Sequence, residues 1–303
     1  MREGDDVLLD PRPIARELGL DPAAIQSVEI LSQRHGHAIW RLVTEARSYV
    51  LKWLPESAAA AEIEGYRLLQ RLGVPTLPLY GSTPQALLLE DLTRSERWRL
   101  GTEEDLSDPE AGAAVARWYR TFHAAGDTLP AREEPPDFLN REIDALTPES
   151  ILATGEALGL AELPVWKRAA REIEGLKAAV DELGVTLNYN DFYWTNLALS
   201  RREIPLQAIV FDYHLLGLGL RYSDCRNVTV SLEGNAVGAF WEVYGGADPR
   251  EVLLDRPLAT LFNLQEAARL PKFPRWAEES RQRVVNGELR RELAAAIEVA
   301  RAL

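Results

Sequence analysis

The stretch that decides the fold is "LNYNDFYWTNLALS", residues 187 to 200. It places Asp191 and Asn196 five residues apart among four aromatic side chains, and then runs into the apolar residues 197 to 199. Two interpretations fit this pattern. It is either a core strand with two stray polar residues, or a loop that the core holds rigid so that both polar residues can do chemistry.

An antiparallel hairpin is predicted directly after this loop. "NLAL" and "LQAIVF" flank the polar turn "SRREIP", which is typical of two short strands joined by a turn. A turn centred near Ile204 places Asn196 opposite or diagonal to Asp212, with Asp191 beside them. Cross-strand neighbours have Cβ atoms roughly 4.5 to 5.5 Å apart, so an amide oxygen and a carboxylate there can share one divalent cation.

The oxygen atoms of Asp191, Asn196 and Asp212 allow two interpretations. Hard oxygen ligands are those that Mg²⁺ prefers, especially when substrate phosphates complete its coordination shell. Alternatively, these Asp and Asn residues are turn residues whose side chains bond only to backbone amides. The pattern of residues leaves both interpretations open.

Lysine is rare in this chain, with 4 Lys against 30 Arg, and Lys52 lies where a strand is predicted. In "SYVLKWL" it falls on the same strand face as Val50 and Leu54, where a charged amine is costly unless it is paired. The following helix offers Glu64 on one face and Glu62 on another. Kinase folds use a strand lysine held by a helix glutamate to bind nucleotide phosphates. The alternative is a surface lysine that snorkels to solvent.

The sequence pattern changes near residue 92 from mostly β-type runs to mostly helical spacing of apolar residues. This change predicts an α+β fold with two lobes. The first lobe, 1–92, contains one helix at 57–72 and β-type runs at 27–31, 38–45, 48–54 and 85–91. The second lobe, 93–303, is predicted to contain only the two strands of the hairpin, 197–199 and 206–211. Its apolar spacing predicts helices at 108–125, 147–158, 163–182, 223–232, 235–244, 258–270, 275–285 and 287–302.

The composition limits the classes of partner that the protein is expected to bind. A net charge of -13 argues against nucleic acid, because phosphate binding needs basic patches. The acidic charge either attracts a cationic substrate or serves only solubility. No apolar run is long enough to span a bilayer and the N-terminus does not resemble a signal peptide, so a cytoplasmic location is expected. The single Cys225 forms no internal disulfide.

Taken together, these residues resemble the aminoglycoside phosphotransferase and choline kinase-like superfamily, which has a protein-kinase-like fold. "YNDFYWTN" is similar to the catalytic loop of that family, and "IVFDYHLLGLGLRYSD" is similar to its metal-binding segment. "EIEGYRLLQRLGVP", "ALLLEDL" and "ARWYRTFHAAG" resemble a helix of the small lobe, the hinge between the lobes and a helix of the large lobe. The resemblance covers about residues 27 to 245.

The resemblance implies transfer of the γ-phosphate of ATP to a hydroxyl group of a small molecule. Asp191 would be the catalytic base that orients and deprotonates this hydroxyl. Asn196 and Asp212 would hold Mg²⁺ against the nucleotide phosphates, and Asp224 would brace the catalytic loop. Aminoglycoside-like compounds, amino alcohols and sugar-like compounds are all compatible acceptors.

The resemblance also implies a nucleotide site in the first lobe. Lys52 would bind the α and β phosphates and would be oriented by Glu64. The backbone from Glu90 to Leu92 would meet the adenine. The loop "SQRHGHAIW", residues 32 to 40, would cover the phosphates. Arg34, with its neighbours His35 and His37, either adds donors to the phosphates there or is a solvated turn residue.

Two residues depart from the family pattern. Tyr189 stands where the catalytic loop usually has His, and Asn190 stands where it usually has Gly. A phenol hydroxyl can replace the bracing function of the His, so an active subfamily is the preferred interpretation. The alternative is a nucleotide-binding pseudokinase with a regulatory or scaffold role.

The remaining histidines and tryptophans carry weaker expectations. His123 and His214 have no carboxylate or Cys at ligand spacing and are expected to be structural. Trp194, Trp241 and Trp276 are candidates to line the acceptor pocket.

Overall fold

The computed structural model describes residues 10–34, 36–129 and 136–303, which form two compact units. Of the described residues, unit 1 contains those up to Trp118 together with Tyr193–Leu215 and Glu233–Phe240. Unit 2 contains the described residues of 119–192 together with Leu216–Leu232 and Trp241–Leu303. Both units are discontinuous in sequence, whereas the predicted lobes, 1–92 and 93–303, are continuous. The boundary between those lobes stays a prediction.

A five-stranded antiparallel sheet forms the centre of unit 1, with the order β1-β2-β3-β5-β4. Its strands are β1 Ile25–Arg34, β2 His37–Thr44, β3 Ser48–Trp53, β4 Leu79–Ser82 and β5 Ala86–Glu90. Buried and half-buried residues alternate along β2, as expected for a strand with one face on the core. The predicted antiparallel sheet near the N-terminus is confirmed.

The core of this sheet is built from large apolar side chains. Trp40, Leu42 and Leu51 are almost fully buried, and burial of each such side chain contributes roughly 1.5 to 3 kcal/mol. Two helices belong to the same unit, α1 Pro11–Glu17 and α2 Glu56–Arg71. The chain leaves α2 through Gly73, whose φ of 72° favours glycine.

A second sheet in unit 1 has three strands in the order β6-β8-β9. These strands are β6 Trp98–Leu100, β8 Leu197–Ser200 and β9 Ala208–Val210. Leu197 pairs with Val210 in an antiparallel register, and β8 and β9 are buried throughout. The hairpin predicted from "NLAL" and "LQAIVF" is confirmed.

Unit 2 is mostly helical and contains one two-stranded sheet. Its strands are β7 Thr186–Asn188 and β10 Gly217–Gly219. Its helices are α4 Pro148–Ala157, α5 Pro164–Leu183, α6 Arg221–Ser231, α8 Pro249–Ala268, α9 Glu278–Val285 and α10 Glu288–Ala302. Two further helices contribute residues to both units, α3 Pro109–Gly126 and α7 Asn235–Tyr244.

The core of unit 2 lies among α4, α5, α8 and α10. Buried residues recur every three or four positions along α5, which gives this helix one apolar face. Ile173 on α5, Leu261 on α8 and Leu293 on α10 belong to the same buried cluster. This packing holds α6, and with it the residues at the start of α6, against α8.

The structure corrects some of the predicted elements. α8 begins at Pro249 and not at residue 258, because Asp248 caps it and Pro257 is accommodated inside it, where proline usually breaks a helix. The expectation of only two strands after residue 92 is wrong, since β6, β7 and β10 also form. Each has only three residues, too few to show a periodic pattern.

Among the described residues, no helix combines the length and the apolar character that a membrane span requires.

Candidate active site

Lys52 lies in the middle strand of the large sheet with its side chain mostly buried. It is paired with Ile39 of β2 and Leu87 of β5. Its Nζ atom donates a hydrogen bond to Asp212 Oδ1 at 2.9 Å and lies 3.3 Å from Glu62 Oε1. A snorkelling surface lysine is therefore excluded, because the ammonium group ends between two carboxylates. We call Lys52, Glu62 and Asp212 the lysine network.

The glutamate that contacts Lys52 is Glu62, and the prediction of Glu64 for this position is wrong. Glu62 is 1% exposed, whereas Glu64 forms an ion pair with Arg67 at 2.6 Å. Residues two apart on a helix point about 200° apart, so only one of the two glutamates can face the sheet. Tyr66 is fully buried and marks the inner face, to which Glu62 belongs.

The environment of the lysine network sets its charges. Burial alone would lower the pKa of Lys52, but the charges of Glu62 and Asp212 raise it above its usual value. Burial raises the pKa of Glu62 to about 8 despite the nearby ammonium group. Burial works against ionisation of Asp212 as well, yet a bond from His214 and the charge of Lys52 hold its pKa well below the usual range. At neutral pH, Lys52 and Asp212 are therefore charged, and burial favours the protonated form of Glu62.

Asp212 lies where the hairpin was predicted to place it. The backbone N–H of Phe211 donates to the carbonyl oxygen of Asn196 at 3.0 Å, so Asn196 faces Phe211 and is diagonal to Asp212. Asp212 has a φ of 72°, a left-handed conformation that is unusual outside glycine. The predicted cross-strand placement of the two residues along the hairpin is confirmed, and the role of their side chains as metal ligands stays a prediction.

His214 is also part of this site, contrary to the expectation that it has no carboxylate at ligand spacing. Its Nδ1 atom lies 2.9 Å from Asp212 Oδ1. Glu62, Asp212 and His214 each offer one ligand atom within 4.8 Å of the others. The sequence interpretation failed because a turn at a left-handed residue brings together two side chains that a regular strand would keep apart.

A cavity of about 340 Å³ lies entirely within unit 1 and contains the lysine network in its wall. The predicted adenine contacts, Glu90 and Leu92, line the same cavity. Most of the remaining wall is apolar and is formed by Leu31, Ile39, Val50, Leu77, Leu89, Leu100 and Phe211. An apolar cavity with a few charged groups is the usual form of a small-molecule site.

Asp91 holds the backbone between Glu90 and Thr93, and the sequence interpretation missed it. Its buried carboxylate accepts hydrogen bonds from Arg41 Nε at 2.8 Å, Ser48 Oγ at 2.7 Å and the N–H of Thr93 at 3.1 Å. Burial disfavours its ionisation, but hydrogen bonds from the side chains of Thr93, Ser48 and Arg41 outweigh burial and lower the pKa of Asp91. The only signal in the sequence was the "LED" of the segment that resembles a hinge.

The predicted phosphate loop includes the end of β1 and the start of β2. Arg34 ends β1 and is paired with His37 of β2. The side chain of Arg34 and the whole of His35 lie outside the described residues. Their predicted contacts with phosphates therefore stay predictions.

In unit 2, the backbone that leads to Asp191 is held by Asp224. The N–H of Tyr189 donates to Asp224 Oδ2 at 2.7 Å, and the N–H of Asn190 donates to Asp224 Oδ1 at 3.0 Å. His123 Nε2 lies 3.2 Å from the same carboxylate, and His123 Nδ1 lies 2.8 Å from the Tyr244 hydroxyl. We call His123, Asp224 and these two N–H groups the loop brace. The bracing placement expected for Asp224 and the structural role expected for His123 are confirmed.

The loop brace explains the two departures from the family pattern. Asn190 has a φ of 66°, where glycine is favoured and where Asn is one of the best tolerated alternatives. Tyr189 is fully buried, and the loop is braced through its backbone N–H. Tyr and Asn at these positions are therefore compatible with an ordered loop at Asp191.

Unit 2 contains two cavities that share the wall residues Arg226 and Ala259. The larger, of about 440 Å³, includes Trp276, which is 57% exposed. The smaller holds about 30 Å³ and is lined by Asn188, Asn190, Glu142, Ser223 and Asp255 among others. Arg226 Nε donates to Asp255 Oδ2 at 2.7 Å, and burial raises the pKa of Glu142 to about 7.

The other candidate tryptophans do not line these cavities. Trp241 stacks on Tyr222 with ring centroids 6.4 Å apart, and Trp194 belongs to unit 1. Of the three tryptophans suggested for an acceptor pocket, Trp276 alone lines one of the two unit 2 cavities.

The sheet, the lysine network and the hairpin aspartate together define a class of protein, the kinase-like phosphotransferases. A sequence model described as "Phosphotransferase enzyme family" matches residues 27–254 of the chain. The chain therefore belongs to the phosphotransferase enzyme family. The predicted superfamily is confirmed, and so is the predicted class of activity: the protein is a small-molecule kinase that acts on a hydroxyl group.

Solved structures with the same fold are distant in sequence. A choline/ethanolamine kinase family protein from Mesorhizobium loti is 17% identical, with a TM-score of 0.57 over 94% of this chain and 98% of that one. An aminoglycoside phosphotransferase from Alicyclobacillus acidocaldarius is 15% identical, with a TM-score of 0.54 over 100% of both chains. An aminoglycoside phosphotransferase solved with ADP is 13% identical, with a TM-score of 0.54 over 95% and 97%.

These structures confirm the predicted α+β kinase-like fold. No curated protein sequence matches the chain.

Proposed function

We propose that the protein binds ATP in the unit 1 cavity and transfers its γ-phosphate to a hydroxyl group, with Asp191 as the base. The observation that carries this proposal is the lysine network in the wall of a largely apolar cavity of about 340 Å³. An apolar cavity suits a base such as adenine, and a buried ammonium group suits phosphate oxygens. The structure solved with ADP supports ATP as the donor.

Lys52 is proposed to bind the α and β phosphates. Its raised pKa keeps the ammonium group charged at neutral pH. The carboxyl group of Glu62 lies 3.3 Å from this ammonium group on the side of α2. Phosphoryl transfer requires positioning and charge neutralisation more than covalent chemistry. Lys52 would position the phosphates and neutralise part of their charge.

Asn196 and Asp212 are proposed to hold Mg²⁺. The donor set fits this ion, because Asp212 is ionised at neutral pH and Asn196 offers a neutral amide oxygen diagonal to it on the hairpin. When bound, Mg²⁺ supplies neutralisation of charge on the nucleotide phosphates. The backbone at Glu90 and Leu92 is proposed to contact the adenine, and Asp91 fixes that backbone.

Asp191 is proposed to orient the acceptor hydroxyl and to accept its proton. The loop brace supports this role, because it fixes the two residues before Asp191 through their N–H groups. A carboxylate used as a base must be held in one position, since misplacement by about 1 Å can reduce the rate about 10²-fold.

The acceptor is proposed to bind in the larger cavity of unit 2 and to be neutral and sugar-like. Three arginines and three glutamates line this cavity, so its charges balance and give a polycation no advantage: Arg226, Arg256, Arg283, Glu279, Glu288 and Glu292. The exposed indole of Trp276 offers an apolar face beside these polar groups. Of the three acceptor classes compatible with the sequence, the sugar-like class is therefore the one proposed. A cytoplasmic location stays a prediction.

The test is an assay of ADP release over neutral sugars, amino alcohols and aminoglycosides, with Mg-ATP binding followed separately by thermal shift. The variant Asp191→Asn should reduce turnover about 10³-fold and leave the shift unchanged. The exposed Asp137→Asn is the matched control and should change neither. Turnover by Asp191→Asn at the wild-type rate would exclude Asp191 as the base. A shift without turnover of any acceptor would favour the pseudokinase.

A further inference from the structure

His214 offers a nitrogen ligand at the place where the proposed function puts a metal ion. Its Nδ1 atom and Asp212 Oδ1 are 2.9 Å apart. An octahedral ion about 2.1 Å from each ligand places adjacent ligand atoms about 3.0 Å apart. The two side chains therefore already have the separation of neighbouring ligands on one ion.

Glu62 provides an independent observation that points to a ligand. It is 1% exposed, and among the described residues neither of its carboxylate oxygens accepts a hydrogen bond. Its one ion pair, with Lys52 at 3.3 Å, is long. Buried carboxylate oxygens normally have such partners. One ligand atom from Glu62 lies within 4.8 Å of those from Asp212 and His214.

We propose that His214 is a ligand of the metal ion bound by Asp212, and that this site binds first-row transition ions more tightly than Mg²⁺. The inference rests on the proposed function, which makes Asp212 a metal ligand. Imidazole nitrogen is a borderline ligand that suits transition ions, whereas Mg²⁺ prefers oxygen alone. A site of carboxylate oxygens with one imidazole nitrogen therefore shifts the preference away from Mg²⁺.

Metal binding at this site has a defined proton balance. A coordinating imidazole must be neutral, and its Nδ1 lone pair must point to the ion. The Nδ1 proton of His214 forms the hydrogen bond to the Asp212 carboxylate, so this bond would have to open before Nδ1 could coordinate an ion. A neutral ring would shift to the tautomer with its proton on Nε2, and an imidazolium ring would release its Nδ1 proton to solvent.

The rival explanation is that His214 only positions Asp212 through a hydrogen bond. Electron spin echo spectroscopy on Mn²⁺ bound to the full chain, without nucleotide, separates the two. Wild type should show the modulation of a directly coordinated ¹⁴N nucleus, and His214→Gln should lose it. His37→Gln is the matched control and should keep it. Absence of the modulation in wild type, or its persistence in His214→Gln, would overturn the proposal.

Affinities for Co²⁺ alone and Mg²⁺ alone, measured by calorimetry, give a second readout. His214→Gln should weaken Co²⁺ about 10-fold or more and Mg²⁺ by less than about 3-fold. Equal losses for both ions would mean a positioning residue and would overturn the proposal.

Asp212→Asn separates failure of this proposal from failure of the proposed function. Weaker metal binding in Asp212→Asn, without a nitrogen signal in wild type, overturns the role of His214 alone. Unchanged metal binding in Asp212→Asn overturns the metal role of Asp212 and the role of His214 together. Thermal unfolding of each variant confirms that it is folded.

Discussion

The lysine network of unit 1 and the loop brace of unit 2 both place a carboxylate beside a basic residue, but they differ in how completely the carboxylates are satisfied. Both oxygens of Asp224 accept backbone hydrogen bonds, and the residue is fully buried. In the lysine network, by contrast, Glu62 is buried and accepts no hydrogen bond from the part of the chain that the structure describes. A buried carboxylate whose hydrogen bonds are all made stabilises the fold. A buried carboxylate that lacks such bonds can still bind a ligand.

The largest expected effect tests whether the lysine network acts in phosphate transfer and not in stability. We expect Asp212→Asn to reduce phosphate transfer about 10³-fold, because the site loses the charge that neutralises the nucleotide and metal region. Its unfolding temperature should change little, since Glu62 can ionise and pair with Lys52 in its place. Steady-state kinetics and calorimetry check both points. A large loss of stability with normal turnover would contradict the comparison.

The variant Asp224→Ala tests whether the loop brace stabilises the fold. We expect it to lower the free energy of unfolding by about 3 kcal/mol, because two backbone N–H groups and His123 lose their buried acceptor. Urea unfolding measures this change. Asp224→Asn is the control and should lose less, since its amide oxygen still accepts one of the bonds. Equal losses in the two variants would show that the hydrogen bonds do not carry the effect.

The pH dependence of stability tests the protonated state of Glu62. Because its pKa is raised from 4.5 to about 8, the folded protein holds a proton that the unfolded chain releases. This contribution to stability is complete below pH 4.5 and is lost as the pH rises to 8, by up to about 1.4 kcal/mol per pH unit. Glu62→Gln should remove this slope from chemical unfolding curves.

The exposed Glu64→Gln is the control for this pH dependence and should keep the wild-type slope. An identical slope in wild type and Glu62→Gln would show that Glu62 is ionised throughout, and would remove the contrast with the loop brace.

The smallest expected effect concerns the backbone of the catalytic loop. Asn190→Ala should lower stability by about 1 kcal/mol, because a φ of 66° is unfavourable for a residue with a Cβ and no side-chain hydrogen bonds. Asn190→Gly should be close to wild type, since glycine accepts this conformation. Urea unfolding of both variants decides this. Equal stability of the Ala and Gly variants would contradict the assigned backbone strain.

Much of the fold was predictable from the sequence, because its longer elements show clear periods. Buried and half-buried residues alternate along β2, and the hairpin follows from two apolar runs around a polar turn. The three-residue strands β6, β7 and β10 were not predictable, since they are defined by their partners and not by their own pattern.

In the candidate site, the sequence indicated which residue types matter but not always which residue. Lys52 and Asp212 were predictable because a charge in an apolar strand and an Asp after a hairpin are unusual. To choose between Glu62 and Glu64, one must know which face of α2 packs against the sheet. The sequence pattern of α2 did not show this. The contact between His214 and Asp212 was not predictable, because it depends on the left-handed backbone conformation of Asp212. A sequence gives little indication of that conformation at a residue other than glycine.

The hydrogen bond between Lys52 and Asp212 has a consequence for the catalytic cycle. Without nucleotide, each of these charges already has a counter-charge, so the empty protein is not a high-energy state. In the proposed function, nucleotide binding is an exchange of partners, and its net affinity is the difference between two favourable arrangements. The re-formed Lys52–Asp212 ion pair would then lower the affinity for ATP and favour release of ADP.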